Sequence, residues 1–277
     1  MSAGRDLGQA GRWTGWVPVA VNHRGRPVPA LLGPAITAAV LVVGLGIVAG
    51  RAFTEGGLSS TDAHVLEDLG GLVVVFLAGF YDDHQRGPHR GLRGHLLELA
   101  RGRVTPGTVK LVAAVGAAAL IAGFSGRGPL RAILGIPLMA GSANLWNLLD
   151  VRPGRAIKYF LLAAIVLAAL VTADDVRVIG GIAVAASLVA LWPDLREMAM
   201  LGDSGSNVLG LVIGIALFRS LSPVALGLGL AAILVLHLLA ETVSFSRVID
   251  ALRPLRWFDR VGRVQNVAED GRPRTSL

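Results

Sequence analysis

The chain has 277 residues, of which 53% are hydrophobic and 16% are charged, and its formal net charge is +7. A soluble domain of this length could not cover so much apolar surface with so few charges, so the composition predicts an integral membrane protein. The absence of cysteine excludes disulfides and cysteine-ligated metals. Residues 1–25 have no long apolar core, so no removable signal peptide is expected.

About 20 apolar residues cross a bilayer as a helix. The expected fold is therefore all-α, a polytopic helical bundle of about eight transmembrane helices in one integral membrane domain covering residues 1–277. The predicted helices lie at 28–50, 64–81, 107–124, 129–149, 157–173, 176–193, 206–218 and 223–245. Several of them are rich in Gly and Ala, as is common where membrane helices pack closely.

The distribution of Lys and Arg predicts the orientation in the membrane. With eight spans, 21 of the 26 Lys and Arg residues lie on one side, which includes the N-terminal segment 1–27 and the basic C-terminal segment 246–277. The positive-inside rule makes that side, and both termini, cytoplasmic. The positive charge therefore needs no nucleic acid as a partner and suits anionic membrane lipids and phosphorylated substrates.

Two adjacent aspartates, Asp82 and Asp83, end the second predicted helix and precede a basic loop. Ionisable groups at this depth are costly, and they are usually paired, metal-bound or functional. One interpretation is a hydrated helix end paired with Arg86 and Arg90. The other is a metal–phosphate site, since Mg²⁺ prefers a few carboxylates together with substrate phosphate oxygens.

Three polar residues follow one face of the helix predicted at 129–149. Asn144, Asn147 and Asp150 are spaced three apart and reach the cytoplasmic end. Such a stripe can hydrogen-bond a polar ligand, which we favour because it continues to the water interface. The alternative is a polar contact between helices plus an exposed aspartate at a helix end.

The stretch MLGDSGSNVLG places Asp203 in a Gly-Asp-Ser-Gly-Ser turn that opens the helix predicted at 206–218. Ser204 or Ser206 is expected to cap that helix, and the N–H groups of a helix N-terminus favour an anion. Small residues would let a diphosphate approach the backbone while Asp203 holds a metal. An ordinary Gly-Ser turn with an N-cap is the alternative.

The histidines do not have the spacing of metal ligands. His84, His89 and His95 share one loop at irregular intervals, so zinc binding is not expected there. His237 stands alone in an apolar helix and is predicted to be a packed, neutral side chain.

Taken in order, four motifs between about Asn22 and Asn207 resemble the polyprenyl-phosphate N-acetylhexosamine-1-phosphate transferase superfamily, which includes phospho-N-acetylmuramoyl-pentapeptide transferase. The motifs are Asn-x-Arg-Gly-x-x-Val-Pro, the Asp-Asp pair, Asn-x-x-Asn-Leu-x-Asp and Gly-Asp-Ser-Gly-Ser. The resemblance implies a Mg²⁺-dependent enzyme of cell-envelope glycan synthesis, with Mn²⁺ as an alternative ion. It would transfer a sugar-1-phosphate from a UDP-sugar to a polyprenyl (undecaprenyl or decaprenyl) phosphate and release UMP.

The same resemblance implies roles for individual residues. Asp203 corresponds to the main Mg²⁺ ligand, and Asp82 and Asp83 correspond to the pair implicated in catalysis and in engaging the lipid phosphate. The implied substrate-binding residues are Arg24, Arg26, Lys110, Asn144, Asn147 and Asp150. The resemblance also implies a homodimer, located in the cytoplasmic (plasma) membrane with its active site on the cytoplasmic face.

The chain departs from the family pattern in three places. The family commonly continues after Asp150 as Gly-x-Asp-Gly, whereas residues 151–154 here read Val-Arg-Pro-Gly, so a second aspartate is missing. Segment 246–277 contains arginines where a histidine motif is common, and Pro193 and Met200 replace an amide and an aromatic residue. These departures concern the nucleotide and sugar more than the metal, so the reaction class is predicted more firmly than the substrate.

Two other functions fit the sequence. A catalytically degenerate relative that binds the lipid carrier or an envelope-assembly partner would explain the missing aspartate and histidines. A transporter would place its charges near the bilayer midplane, often in repeated halves. Most charges here lie at helix ends on one side, which argues against a transporter.

Overall fold

The computed structural model describes residues 17–22, 24–85, 92–171 and 174–264, with the side chains of residues 92, 93 and 96 left out of the description. The described residues form eleven helices and one two-stranded antiparallel hairpin. The predicted all-helical class is therefore confirmed, and the hairpin is its one exception in the part described.

The hairpin pairs β1 (Val19–Val21) with β2 (Pro27–Pro29). Its turn is closed by the Asn22 side-chain oxygen, which accepts hydrogen bonds of 2.9 Å from the backbone N–H groups of Arg24 and Arg26. The prediction that a helix begins at residue 28 was wrong, because proline restricts the preceding residue to extended backbone. The first helix instead begins after this strand.

Eight longer helices match the eight predicted ones, the helix at 129–149 with the predicted ends and the others with shifted ends, and three shorter helices were not predicted. The helices are α1 (Leu32–Glu55), α2 (Ser60–His84), α3 (Leu92–Ala100), α4 (Pro106–Phe124), α5 (Pro129–Leu149), α6 (Arg155–Ala168), α7 (Asp174–Leu195), α8 (Gly202–Ser220), α9 (Pro223–Thr242), α10 (Phe245–Ala251) and α11 (Arg253–Arg260). Among the described residues, α1, α2, α4, α5, α7 and α9 are long and apolar enough to cross a membrane. The chain is thus a polytopic helical membrane protein.

Helix α8 lies at the centre of the bundle and packs against α1, α2, α5, α6 and α7. All of its residues are buried except Asp203, Leu217 and Ser220. Glycine makes this packing close: a Cβ on Gly210 would lie 2.4 Å from the carbonyl oxygen of Ser142, and one on Gly214 would lie 2.8 Å from the Cα of Met139. These glycines form a Gly-x-x-x-Gly pair, which lets helix backbones approach in membranes.

The two ends of α8 define the two ends of the bundle, here named the Asp203 end and the Arg219 end. At the Arg219 end, the Arg131 guanidinium donates to the carbonyl oxygen of Phe218 at 2.7 Å, and Arg127 donates to that of Arg219 at 2.9 Å. These carbonyls have no partner within the helix, and cations at a helix C-terminus also complement its dipole.

A buried ionic cluster joins three helices near the Arg219 end. Arg219 of α8 lies 2.6 Å from Asp68 of α2 and 3.1 Å from Asp175 of α7, and Glu67 is 3.7 Å away. Arg219 and Asp68 have no exposed side-chain surface. Losing one partner would leave an uncompensated buried charge, which typically costs about 3–5 kcal/mol. The cluster therefore fixes the register of α2, α7 and α8.

The contact between α8 and α5 can be tested with Gly210→Ala. The added methyl would meet backbone atoms of Ser142 and Ala143 that cannot rotate away. We expect a lower thermal midpoint in detergent, corresponding to about 1–3 kcal/mol. Gly116→Ala is the matched control, since a Cβ there meets no atom within 4 Å. Equal midpoints for the two variants would contradict the close approach.

Candidate active site

An ammonium group connects two carboxylates at the Asp203 end. Lys110 Nζ donates to Asp82 Oδ2 at 2.7 Å and to Asp203 Oδ2 at 2.6 Å. The Thr105 hydroxyl caps α4 by accepting from the Thr108 N–H, and Pro106 starts the helix, so Lys110 lies within the first two turns of α4. The lysine and both aspartate side chains keep some exposure, so the cluster can be reached from outside the bundle.

Asp203 is oriented by amides as well as by the lysine. Its second carboxylate oxygen accepts a 2.6 Å hydrogen bond from Asn147 Nδ2, and the same amide group donates to Ser206 Oγ at 3.2 Å. Asn207 donates to the backbone carbonyl of Asp203 at 2.6 Å. Helices α2, α4, α5 and α8 thus bring together Asp82, Lys110, Asn147 and Asp203, which the sequence placed in one site.

Asp83 has different surroundings from its neighbour Asp82. Its two carboxylate oxygens accept hydrogen bonds from the backbone N–H groups of Asp203 at 2.7 Å and Ser204 at 3.0 Å. Asp83 therefore caps α8 from another helix. The predicted serine cap was wrong: Leu201 holds the N-cap position without a side-chain bond, and Ser206 donates to the carbonyl of Gly202.

Two glycines make room for this cap. A Cβ on Gly79, one turn before Asp83 on α2, would lie 2.7 Å from the Asp203 carbonyl oxygen and from Ser204 Cα. Gly202 has a left-handed φ of 70°, and its Cβ would lie 2.9 Å from an Asp83 oxygen. The glycines therefore let the first turn of α8 rest directly on α2.

Asp150 and Asp194 extend the acidic character of this end. Burial raises the pKa of Asp150 well above its usual range, and the charges of Asp194, Asp203 and Asp83 raise it further. Asp194 is buried and accepts a 3.0 Å hydrogen bond from the backbone N–H of Gly154. Sequence analysis missed Asp194, although it lies at the end of an apolar helix in the same position as Asp82 and Asp83.

Three predicted substrate residues have other contacts. Asn144 bonds to His237 Nε2 at 2.9 Å, and His237 Nδ1 bonds to the carbonyl of Ile233, so His237 is packed against its neighbours as predicted. Arg24 pairs with Glu197 at 3.1 Å, where Glu197 has a left-handed φ of 56°. Arg26 lines a surface cleft with Arg24, Glu197 and neighbouring residues. The predicted partners of the aspartate pair at 86 and 90 lie outside the described residues.

The donor set suits a cation that is also held by a substrate. Among the described residues, no three His, Asp or Glu side chains are grouped to hold a metal ion by themselves. The oxygens of Asp82 and Asp203 nevertheless approach one ammonium nitrogen closely, so a single cation can contact both. Two carboxylates completed by phosphate oxygens match the preference of Mg²⁺.

No protein-family model matches the chain, and a search of the curated proteins finds no significant match. The resemblance to the transferase superfamily therefore stays a prediction from four short motifs.

The capping role of Asp83 is tested by Asp83→Asn. The amide keeps one acceptor oxygen and presents N–H donors to the other backbone N–H, so one donor of α8 loses its partner. We expect a loss of about 1–3 kcal/mol in the free energy of unfolding, measured by thermal denaturation in detergent. Asp174→Asn, the same change at an exposed carboxylate at the opposite end, should leave the midpoint unchanged.

Proposed function

We propose that this protein is a glycosyl-1-phosphate transferase that moves a sugar-1-phosphate, such as N-acetylhexosamine-1-phosphate, from a UDP-sugar to a polyprenyl phosphate and releases UMP. The observation that carries the proposal is the placement of Lys110 between Asp82 and Asp203, with Asn147 on the second oxygen of Asp203. Phosphoryl transfer requires positioning and charge neutralisation more than covalent help from the protein, and these groups supply both.

The proposed orientation places the Asp203 end at the cytoplasmic face of the plasma membrane. This orientation assumes eight membrane elements, which are the six long apolar helices together with α6 and α8. Both termini are then cytoplasmic. The distribution of 21 of 26 Lys and Arg residues on that side supports this orientation. UDP-sugars are cytoplasmic, so the site would face its soluble substrate.

The geometry favours a division of labour within the aspartate pair. Both oxygens of Asp83 are bound to backbone N–H groups, whereas the Asp82 carboxylate faces the Lys110 ammonium and the side chain of Asp203. Asp82 is therefore the group that would orient the attacking lipid phosphate and accept its proton. Asp83 would act as a positioning residue that holds the first turn of α8.

In the proposed reaction, an oxygen of the lipid phosphate attacks the β-phosphorus of the UDP-sugar, and the bond between that phosphorus and the bridging oxygen of UMP breaks. Lys110 would turn from its two carboxylates towards the diphosphate oxygens and neutralise their charge. Asn147 would keep Asp203 oriented throughout. A divalent cation, Mg²⁺ or Mn²⁺, held by Asp203 and Asp82 would neutralise the remaining phosphate charge.

The transferase proposal predicts that the purified protein in lipid nanodiscs releases UMP from at least one UDP-sugar when polyprenyl phosphate and Mg²⁺ are present. Asp203→Asn and Asp82→Asn should each lower the rate by about 100-fold or more, because a charge that stabilises the reacting phosphates is lost. Asp174→Asn should keep the wild-type rate. Thermal midpoints measured in parallel show that the variants are folded.

Retained Mg²⁺-dependent UMP release in Asp203→Asn would overturn the assignment of this residue. Binding of polyprenyl phosphate without UMP release from any UDP-sugar would favour the non-catalytic alternative.

Lys110→Gln tests the cation site without an activity readout. Removing the ammonium leaves the carboxylates of Asp82 and Asp203 close together without their shared cation, and like charges at this distance repel. We expect a lower thermal midpoint in EDTA and a larger rise on adding Mg²⁺ than the wild type shows. Lys158→Gln, at the start of α6, is the control lysine, and its midpoint should not become more sensitive to Mg²⁺ than that of the wild type.

A further inference from the structure

The last two described helices, α10 and α11, lie directly after the membrane helix α9. Helix α9 ends at Thr242 and α10 begins at Phe245, and three residues span about 10 Å at most. Leu252 is both the C-cap residue of α10 and the N-cap residue of α11. Because a membrane helix ends near the level of the lipid headgroups, α10 begins within that short distance of the leaflet surface.

The inner side of these helices is fixed by ion pairs. Asp259 of α11 binds Arg155 through two hydrogen bonds of 2.8 and 2.9 Å, and neither side chain is exposed. Burial acts to raise the pKa of Asp259, but the hydrogen bond from Arg155 and the charge of Arg263 lower it overall. Asp250 of α10 binds Arg152 through a second pair of hydrogen bonds.

The outer side is apolar and basic. Trp257 is 70% exposed, and Leu252 and Val248 are 50% and 41% exposed. Arg253 and Arg260 are also exposed and lie one turn before and one turn after Trp257, so the three share one helical face. An exposed tryptophan flanked by two arginines is costly to hydrate and has no partner surface among the described residues.

The charge of this outer side is entirely positive. The two acidic residues of α10 and α11 are Asp250 and Asp259, and both are paired with arginines on the inner side. An amphipathic segment with Trp and aliphatic residues on an arginine-rich surface is typical of helices that lie in the interface of an anionic leaflet. A nucleotide would account for the arginines but not for Leu252 and Val248.

A second exposed Trp–Arg pair lies near the end of α7. Trp192, near the end of α7, is 59% exposed, and the Arg196 guanidinium lies 5.9 Å from the centre of its ring. The segment after α11 contacts the same end of α7, since a Cβ on Gly262 would lie 3.0 Å from Leu195. Tryptophans at this level match the aromatic belt of membrane interfaces.

We propose that α10 and α11 form an amphipathic anchor that binds anionic phospholipid in the leaflet at the Asp203 end. Trp257, Leu252 and Val248 insert between lipid headgroups, and Arg253 and Arg260 contact their phosphates. The inner ion pairs transmit this attachment to the start of α6. The anchor does not depend on the proposed transferase activity.

The absence of cysteine makes a single-label experiment direct. Leu252→Cys in the full chain is labelled with an environment-sensitive fluorophore and reconstituted in nanodiscs of phosphatidylcholine, or of an equal mixture with phosphatidylglycerol. Val235→Cys on the exposed face of α9 is the lipid-facing control, and Arg103→Cys, at a largely exposed side chain, is the water-facing control. Quenching by acrylamide reports the exposure of each label to water.

In the anionic nanodiscs, the label at residue 252 should be quenched as weakly as the label at residue 235. In phosphatidylcholine alone, the label at residue 252 should be quenched more strongly than it is in the anionic nanodiscs. Adding Arg253→Glu and Arg260→Glu should remove this dependence on lipid charge and move the label towards the quenching of residue 103.

Three results would overturn the anchor. The first is quenching like that of residue 103 in both lipid mixtures. The second is shielding that is the same in both mixtures and is unaffected by the arginine substitutions. The third is shielding that develops only when a UDP-sugar is added, which would assign this surface to the nucleotide.

Discussion

The site depends on one interaction, the binding of the Asp83 carboxylate to the first N–H groups of α8. These groups have no partner inside their own helix, and Gly202 and Ser204 are buried, so a protein group has to supply one. A carboxylate supplied by α2 satisfies two of them at once and complements the positive end of the helix dipole. Because Asp203 lies in that first turn, capping the helix also fixes the carboxylate that meets Lys110.

Helix α8 also explains how the helices around the polar cluster are held together. Glycines at 79, 210 and 214 bring neighbouring backbones against α8, Gly202 leaves room for the Asp83 carboxylate, and Arg131 occupies the other end of the helix. Both ends of α8 are thus held by charges of the appropriate sign, while its middle is held by packing. Asp203 is one of three residues of α8 left unburied, and it faces the cluster that contains Lys110.

The sequence predicted the features that depend on local pattern. The lengths of the apolar segments predicted the eight longer helices. The carboxylates at helix ends and the polar stripe that ends in Asp150 predicted most of the residues in the polar cluster. It did not reveal that Asp83 caps another helix or that Asn144 turns to His237, because adjacent or equally spaced residues can face different neighbours. Asp194 and the Arg155–Asp259 pair were missed for the same reason, since their partners are distant in sequence.

Residues 151–154, where the chain departs from the pattern that it resembles, adjoin Asp150 and Asp194 beside the carboxylate cluster. Asp82, Lys110, Asn147 and Asp203 stand on helices whose positions are set by close packing in the bundle, so few changes there leave the geometry intact. The turn at 151–154 and the start of α6 are instead joined to α10 and α11 by side-chain pairs, namely Arg152 with Asp250 and Arg155 with Asp259. Asp194 accepts a hydrogen bond from the Gly154 N–H and so brings a carboxylate from α7 to this turn. Exposed residues of these segments that form no such pair, such as Val151, can change without moving the helices, so the proposed diphosphate chemistry is compatible with an altered nucleotide or sugar.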